Sequence, residues 1–216
     1  VKYTGAAICL FLVFQSAGAV AAEESIGYSA LKFGGGVVSA FLIHEASHEF
    51  VALATGTEMH WRFGDANQPL AFREKDARKG AGFAINASGF VVQAVGAEYI
   101  LQSDKIDKND SFVRGMMLWN IINPMMYAVD YWFLHKTNSL NGNEYQGDLE
   151  GMKYYSDKAT ADVLSATLVA LAAFQGYRYA RTQTWAPDWL KKKEFDNIGL
   201  VPLPSGGAML SYTLEF

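Results

Sequence analysis

The chain has 216 residues, of which half are hydrophobic and 19% are charged, so an intrinsically disordered protein and a disulfide-based scaffold are both excluded. This length suits a single domain with its own core. The 18 Lys and Arg residues against 22 Asp and Glu give a net charge of −4. The chain therefore lacks the basic field that phosphate recognition requires, and we expect no nucleic-acid partner.

Residues 1–22 have the composition of a secretory leader. A short apolar run at 6–13 is followed by small residues, with Ala19 and Ala21 placed as in an A-x-A cleavage site. The pattern predicts a signal peptide and export to a bacterial cell envelope, and the alternative is an uncleaved N-terminal membrane helix. Cys9, the only cysteine, lies in this leader, so we expect no disulfide in the remaining domain, 23–216.

Four apolar segments of helical length follow the leader, at residues 28–55, 80–101, 112–134 and 159–180. Polar loops separate them, at residues 58–79, 102–111 and 136–158. They predict a mainly α fold, a bundle of four long apolar helices. Polar residues occur inside these segments, so they are either membrane spans with a polar interior or core helices of a soluble domain. Aromatic and basic residues at the ends of the last two segments are typical of a water–lipid boundary, and we expect a membrane as a partner.

The C-terminal region has a different pattern. From Ala208 to Phe216 apolar and polar residues alternate with period two, after a Gly-Gly pair at 206–207. This alternation predicts a short β-hairpin within residues 195–216. A single hairpin cannot close a barrel, so we expect a local ribbon against the helices or at an interface.

The most specific motif is His44-Glu45-Ala46-Ser47-His48, an H-E-x-x-H inside the first long segment. Residues four apart lie on one face of a helix, so both imidazoles can bind one Zn²⁺ while Glu45 lies beside the remaining metal position. Such a carboxylate can act as the general base on a zinc-bound water. Apolar residues surround the motif, where unpaired polar groups would be costly to bury and a metal would satisfy them.

A catalytic zinc site needs a third protein ligand, and the sequence offers Asp130, Glu98, Asp148 and Glu150. Asp130 is the first choice because it belongs to a polar stripe on an otherwise apolar helix. Glu98 is the second, because a Glu about fifty residues beyond H-E-x-x-H resembles the pattern of gluzincin metallopeptidases. The stripe comprises Asn120, Asn123, Tyr127 and Asp130.

Residues 44–56 resemble the H-E-x-x-H-x-x-x-A-x-x-x-G helix of the site-2-protease-like membrane metallopeptidases. Two further features follow in that family's order: Ala87-Ser88-Gly89, and an Asn/Pro segment at 120–124 that leads to an aspartate. The resemblance covers residues 41–133. It implies zinc on His44, His48 and Asp130, with Glu45 as the general base, in a peptidase that cuts protein or peptide substrates within or near the bilayer.

Together these features predict a zinc-dependent metallopeptidase that uses metal-activated water. Serine or cysteine catalysis has no comparable support, since no strand–G-x-S-x-G–helix pattern occurs and the only cysteine lies in the leader. Two alternatives stay open: a non-enzymatic helical bundle of the envelope, and a metal site whose role is structural.

Overall fold

The computed structural model describes residues 25–63, 70–134, 147–191, 198–203 and 207–212. The predicted leader at 1–22 lies outside these ranges, as do parts of the 136–158 loop and of the C-terminal hairpin region. The candidate residues of the H-E-x-x-H motif and all four candidate third ligands lie within them.

The protein is mainly helical, as the apolar segments predict. The helices are α1 (Ile26–Thr55), α2 (Lys79–Gln102), α3 (Ser111–Val129), α4 (Asp148–Tyr155) and α5 (Lys158–Arg181), and α3 continues into a π-helical segment, Asp130–Leu134. Two antiparallel strand pairs accompany them: β1 (Glu58–Phe63) with β2 (Leu70–Lys75), and β3 (Ile198–Leu203) with β4 (Gly207–Tyr212).

Side-chain caps lie at the start of three of the long helices, α1, α3 and α5. Asp110 accepts a hydrogen bond from the Phe112 backbone N–H at the start of α3, and Asp157 accepts one from Thr160 at the start of α5, both at 2.9 Å. These bonds satisfy backbone donors that the first turn of a helix leaves without partners. At its other end α1 stops at Gly56, whose φ of 67° is the left-handed conformation that glycine adopts without strain.

The helix directions follow from contacts along α1. His44 faces Gln93 of α2 while His48, one turn later, faces Ile85, so α1 and α2 run antiparallel. Helix α3 runs parallel to α1, and their backbones touch where Gly115 meets Phe33. Helix α5 packs on α2 and α3, and the short α4 packs mainly on α2. The face of α1 that carries His44 and His48 is therefore enclosed between α2, α3 and α4.

The β1–β2 pair was not predicted, since the sequence suggested a polar loop over residues 58–79. Backbone pairing joins the two segments, with Glu58 opposite Lys75 and Phe63 opposite Leu70. Two side-chain bonds anchor the pair to the helices: Trp61 Nε1 donates to Glu49 of α1 at 2.5 Å, and Asn86 Nδ2 of α2 donates to Glu74 at 2.6 Å. Hydrogen bonds to the two flanking helices thus anchor the strand pair.

Polar side chains lie inside the helical assembly and many large apolar ones lie outside. Buried polar residues are His44, His48, Asn86, Ser88, Gln93, Asn120, Asn123, Ser165 and Gln175. Exposed apolar residues include Leu31, Val38, Leu42, Phe50, Val91, Val95 and Val163. By length and composition, three helices of the described chain, α1, α2 and α5, are long and apolar enough to cross a membrane.

Candidate metal centre

Three buried groups from two helices converge to form a candidate metal site. The imidazoles of His44 and His48 come from one face of α1, and the carboxylate of Asp148 comes from the first residue of α4. One ligand atom from each lies within 4.8 Å of the others. The exposed fraction of each residue is 3% or less, so the cluster is shielded from bulk water.

The distances connect both imidazoles to a single carboxylate oxygen. Asp148 Oδ2 lies 3.0 Å from His44 Nε2 and 3.6 Å from His48 Nε2. The two rings meet edge to face, with centroids 5.0 Å apart. Both Nε2 atoms therefore face the same oxygen, as expected of groups that can bind one ion.

The other ring nitrogen of each histidine is held by an acceptor. His48 Nδ1 donates to the Ile85 carbonyl at 2.7 Å, and His44 Nδ1 lies 3.1 Å from Oε1 of Gln93. A carbonyl oxygen can only accept, so a neutral His48 carries its proton on Nδ1 and keeps the Nε2 lone pair for a metal. Outer partners of this kind orient histidine ligands in metal sites.

The electrostatic environment keeps Asp148 ionised. Burial on its own raises the pKa of the carboxyl, but the charge and hydrogen bonds of His48 and His44 outweigh it and hold the pKa well below the usual range for aspartate. A bound divalent cation would replace the protons of the imidazoles and keep the carboxylate ionised, since metal ligands must be deprotonated.

Glu45 directly follows His44 in the sequence, and its side chain is half-buried. Its carboxylate interacts electrostatically with His44, His48 and Asp148, so it is close to the ligand cluster without belonging to it. The matched carboxylate one turn later, Glu49, instead accepts a hydrogen bond from Trp61. The two glutamates of α1 therefore have different surroundings.

Close packing fixes the position of the His44 ring. Gly89 of α2 lies directly against it, and a Cβ at this position would be 2.6 Å from both ring nitrogens. Phe90 contacts the ring edge to face, with centroids 5.8 Å apart, and Tyr127 of α3 lies 6.1 Å away. A cluster of apolar side chains, including Leu149 and Met152 of α4, encloses the same region.

The structure brings Asp148, and not Asp130, to the two histidines. Asp130 lies where α3 changes to the π-helical segment, outside the ligand group that the described residues form. Glu98 binds Arg178 of α5, with Nη1 2.8 Å from both carboxylate oxygens, and Glu150 accepts a hydrogen bond from Lys153. Glu98 and Glu150 are thus paired with basic side chains and not with the two histidines.

Three supporting residues had no assigned role in the sequence analysis: Gln93, Gly89 and the carbonyl of Ile85. Gln93 is recognisable only as a polar residue inside an apolar helix, and Gly89 only as part of the small-residue motif Ala87-Ser88-Gly89. The sequence signal for Asp148 was its position in a polar loop before a short helix. Comparisons with protein-family models, curated proteins and solved structures give no match to this chain.

Proposed function

We propose that this protein is a zinc-dependent metallopeptidase that hydrolyses peptide bonds with a metal-activated water, within or next to a membrane. His44, His48 and Asp148 hold the ion and Glu45 is the general base. The observation that carries the proposal is the convergence of two Nε2 atoms and one carboxylate oxygen in a buried cluster with Glu45 beside it.

The spacing of the ligand atoms fits a tetrahedral ion. Zinc bonds of about 2.0–2.2 Å at tetrahedral angles separate neighbouring ligand atoms by about 3.3–3.6 Å. The separations of 3.0 and 3.6 Å between Asp148 Oδ2 and the two imidazoles are close to these values. Three protein ligands leave the fourth position for water, the arrangement of catalytic zinc sites.

Two imidazoles and a carboxylate form a ligand set that suits Zn²⁺. A bound Zn²⁺ lowers the pKa of its water ligand towards 7 and polarises a carbonyl oxygen. With the ion bound, Glu45 would accept a proton from the attacking water and pass it to the leaving amine nitrogen as the C–N bond breaks. The water oxygen ends in the new carboxylate, and Glu45 returns to its ionised form.

The distribution of side chains supports a membrane location. In a soluble helical protein the apolar stripe of each helix faces the core. Here Leu42, Phe50 and Val95 are about half exposed or more, while His44 and Gln93 of the same helices are buried. Apolar surface of this extent outside a polar interior is stable when lipid covers it.

The depth of the site agrees with this location. His48 lies seven residues before the end of α1, or about 10 Å at 1.5 Å per residue, and His44 about 16 Å. The strand pair β1–β2 and helix α4 lie at this end of the assembly.

The test compares Glu45→Gln with the matched control Glu49→Gln on the same helix. Both variants and the wild type are purified in detergent, and zinc content is measured by mass spectrometry. Hydrolysis is followed with a mixture of fluorogenic peptides. We expect full zinc content in all three proteins, and a 10²–10⁴-fold lower rate in Glu45→Gln alone, the range typical of a lost general base.

Other results favour the alternatives. One zinc per chain with no hydrolysis, or with hydrolysis that Glu45→Gln leaves unchanged, favours a structural metal site. A wild-type protein without stoichiometric zinc, and a His48→Ala variant with the same metal content, favour a non-enzymatic bundle.

A further inference from the structure

One amide oxygen connects α3 to the candidate metal centre. Oε1 of Gln93 on α2 lies 3.1 Å from His44 Nδ1 and also accepts a hydrogen bond of 3.1 Å from Nδ2 of Asn123 on α3. Gln93 and Asn123 are 2% and 6% exposed, so water does not compete for these bonds. The three side chains form a short buried chain that ends at a metal ligand.

The proton on His44 decides whether this residue can bind an ion. A neutral imidazole carries one N–H, and only the other nitrogen has a lone pair for a metal. With the proton on Nδ1 donated to Gln93, a metal can replace the proton between Nε2 of His44 and Oδ2 of Asp148, which lie 3.0 Å apart. With the proton on Nε2, the ring donates to Asp148 and cannot coordinate a metal through that atom.

The orientation of the Gln93 amide selects between these two tautomers. The two ends of a carboxamide have nearly the same shape, and a rotated Gln93 would present its NH₂ group to His44 Nδ1, which must then accept. Nε2 of Gln93 has no hydrogen-bond partner among the described residues, so the donor end does not hold the side chain in place. The acceptor end does, through its two bonds.

We propose that Gln93 and Asn123 are positioning residues that set the tautomer of His44 and thereby make the site able to bind a metal. Asn123 donates to Oε1, which keeps the oxygen of Gln93, and not its nitrogen, directed at His44. This inference rests on the metal centre of the proposed function. It also gives a role to Asn123 in the polar stripe of α3.

The sharpest test is Asn123→Asp, a change of almost constant shape. A carboxylate cannot donate to Oε1 of Gln93 but can accept from its Nε2, so the amide rotates and His44 keeps its proton on Nε2. Zinc affinity, measured by competition with a chromophoric chelator, should fall about 10–100-fold, as for lost outer partners of other metal sites. Simple charge attraction predicts the opposite, because a new negative charge near a cation favours binding.

Asn120→Asp is the matched control. Asn120 is buried on the same helix one turn earlier, also at 6% exposure, and it makes no hydrogen bond to Gln93 in the described part of the chain. The variant adds the same charge without altering the Gln93 amide. We expect it to bind zinc at least as tightly as the wild type does.

A second pair of variants tests Gln93 itself. Gln93→Glu keeps an acceptor for both His44 and Asn123 and removes the orientation ambiguity, so zinc affinity should equal or exceed that of the wild type. Gln93→Met has similar size and no such acceptor, so affinity should fall about 10–100-fold. A packing role alone would weaken both variants, and so would contradict the proposal. The two Gln93 variants also test the proposal if Asn123→Asp does not fold.

The spectrum of bound Co²⁺ gives an independent measurement. We expect the tetrahedral absorption of the wild type to persist in Gln93→Glu and to weaken in Asn123→Asp and Gln93→Met. Unchanged or tighter metal binding in Asn123→Asp overturns the positioning role while leaving the metal centre intact. A wild-type chain that binds neither Zn²⁺ nor Co²⁺ overturns the proposed function as well, so the two failures can be told apart.

Discussion

The contact between Gly89 and the His44 ring allows a direct test of the metal centre. In Gly89→Ala the new Cβ would lie 2.6 Å from both ring nitrogens, whereas ordinary van der Waals contact begins at 3.4 Å. The ring carbon between these nitrogens, Cε1, would be closer still, so the ring must retreat by about 1 Å or the helices must separate by a similar distance. Gly89 allows α2 to approach α1 closely enough for His44 to face Asp148.

This displacement is large compared with the tolerance of a metal site. Metal–ligand distances in proteins hold to within about 0.2 Å, so a ring shifted by about 1 Å no longer reaches the position it shares with His48 and Asp148. We expect zinc affinity to fall by at least about 10-fold. We also expect the free energy of unfolding to decrease by about 1–3 kcal/mol, as is typical of an overpacked core.

Zinc content by mass spectrometry and zinc affinity by chelator competition measure the first effect, and thermal unfolding in detergent measures the second. Gly80→Ala is the matched control, because it lies on the same helix and a Cβ there meets no atom within 4 Å. We expect this control to bind zinc as the wild type does. If Gly89→Ala bound zinc with wild-type affinity, the ring would not occupy the ligand position inferred from the structure.

The same geometry makes three further predictions. Asp148→Asn should lower zinc affinity by several orders of magnitude, whereas Asp130→Asn should leave it close to wild type, because only Asp148 lies in the ligand cluster. Equilibrium dialysis measures both affinities, and a larger loss in Asp130→Asn than in Asp148→Asn would favour Asp130 as the ligand. Zinc affinity should decrease as the pH falls from about 8 to about 5, since protons compete with zinc for the two imidazoles, whereas Asp148, whose pKa is held below its usual range, stays ionised. A titration that shows no such decrease would argue that imidazoles are not ligands. Gly115→Ala should reduce the free energy of unfolding by about 1–3 kcal/mol, because the new Cβ would clash with the backbone carbonyl of Phe33 on α1. Gly34→Ala, which meets no neighbouring atom, should not reduce it; chemical denaturation compares the two variants, and equal stability would argue against close packing of α1 on α3.

Local patterns predicted the helical class and the two histidines. Both depend on short-range geometry: apolar runs of helical length, and the spacing of four residues that brings His44 and His48 to one face of a helix. Glu45 is close to the cluster for the same reason. The expected zinc, peptidase activity and membrane location remain proposals, since they depend on a ligand, a substrate and a solvent that a sequence pattern does not contain.

The third ligand could not be chosen from the sequence. Asp130 shares a stripe with Asn123 under regular α-helical geometry, but the helix changes to π-helical hydrogen bonding at Asp130 itself. Asp148 follows about a hundred residues after the H-E-x-x-H motif, and only the packing of α4 against α2 brings it to His44. The strands β1 and β2 were missed for a related reason, because side chains of the two flanking helices, Glu49 and Asn86, anchor them.

Residue spacing along one helix thus determined which imidazoles face each other, because helical periodicity is a local property of the backbone. The partner carboxylate, the amide that orients His44 and the glycine that admits its ring come from other helices. Their positions depend on how helices pack, and packing is decided by the shapes of surfaces that meet only in the folded chain. The motif therefore follows from the sequence, while the site follows from the tertiary structure.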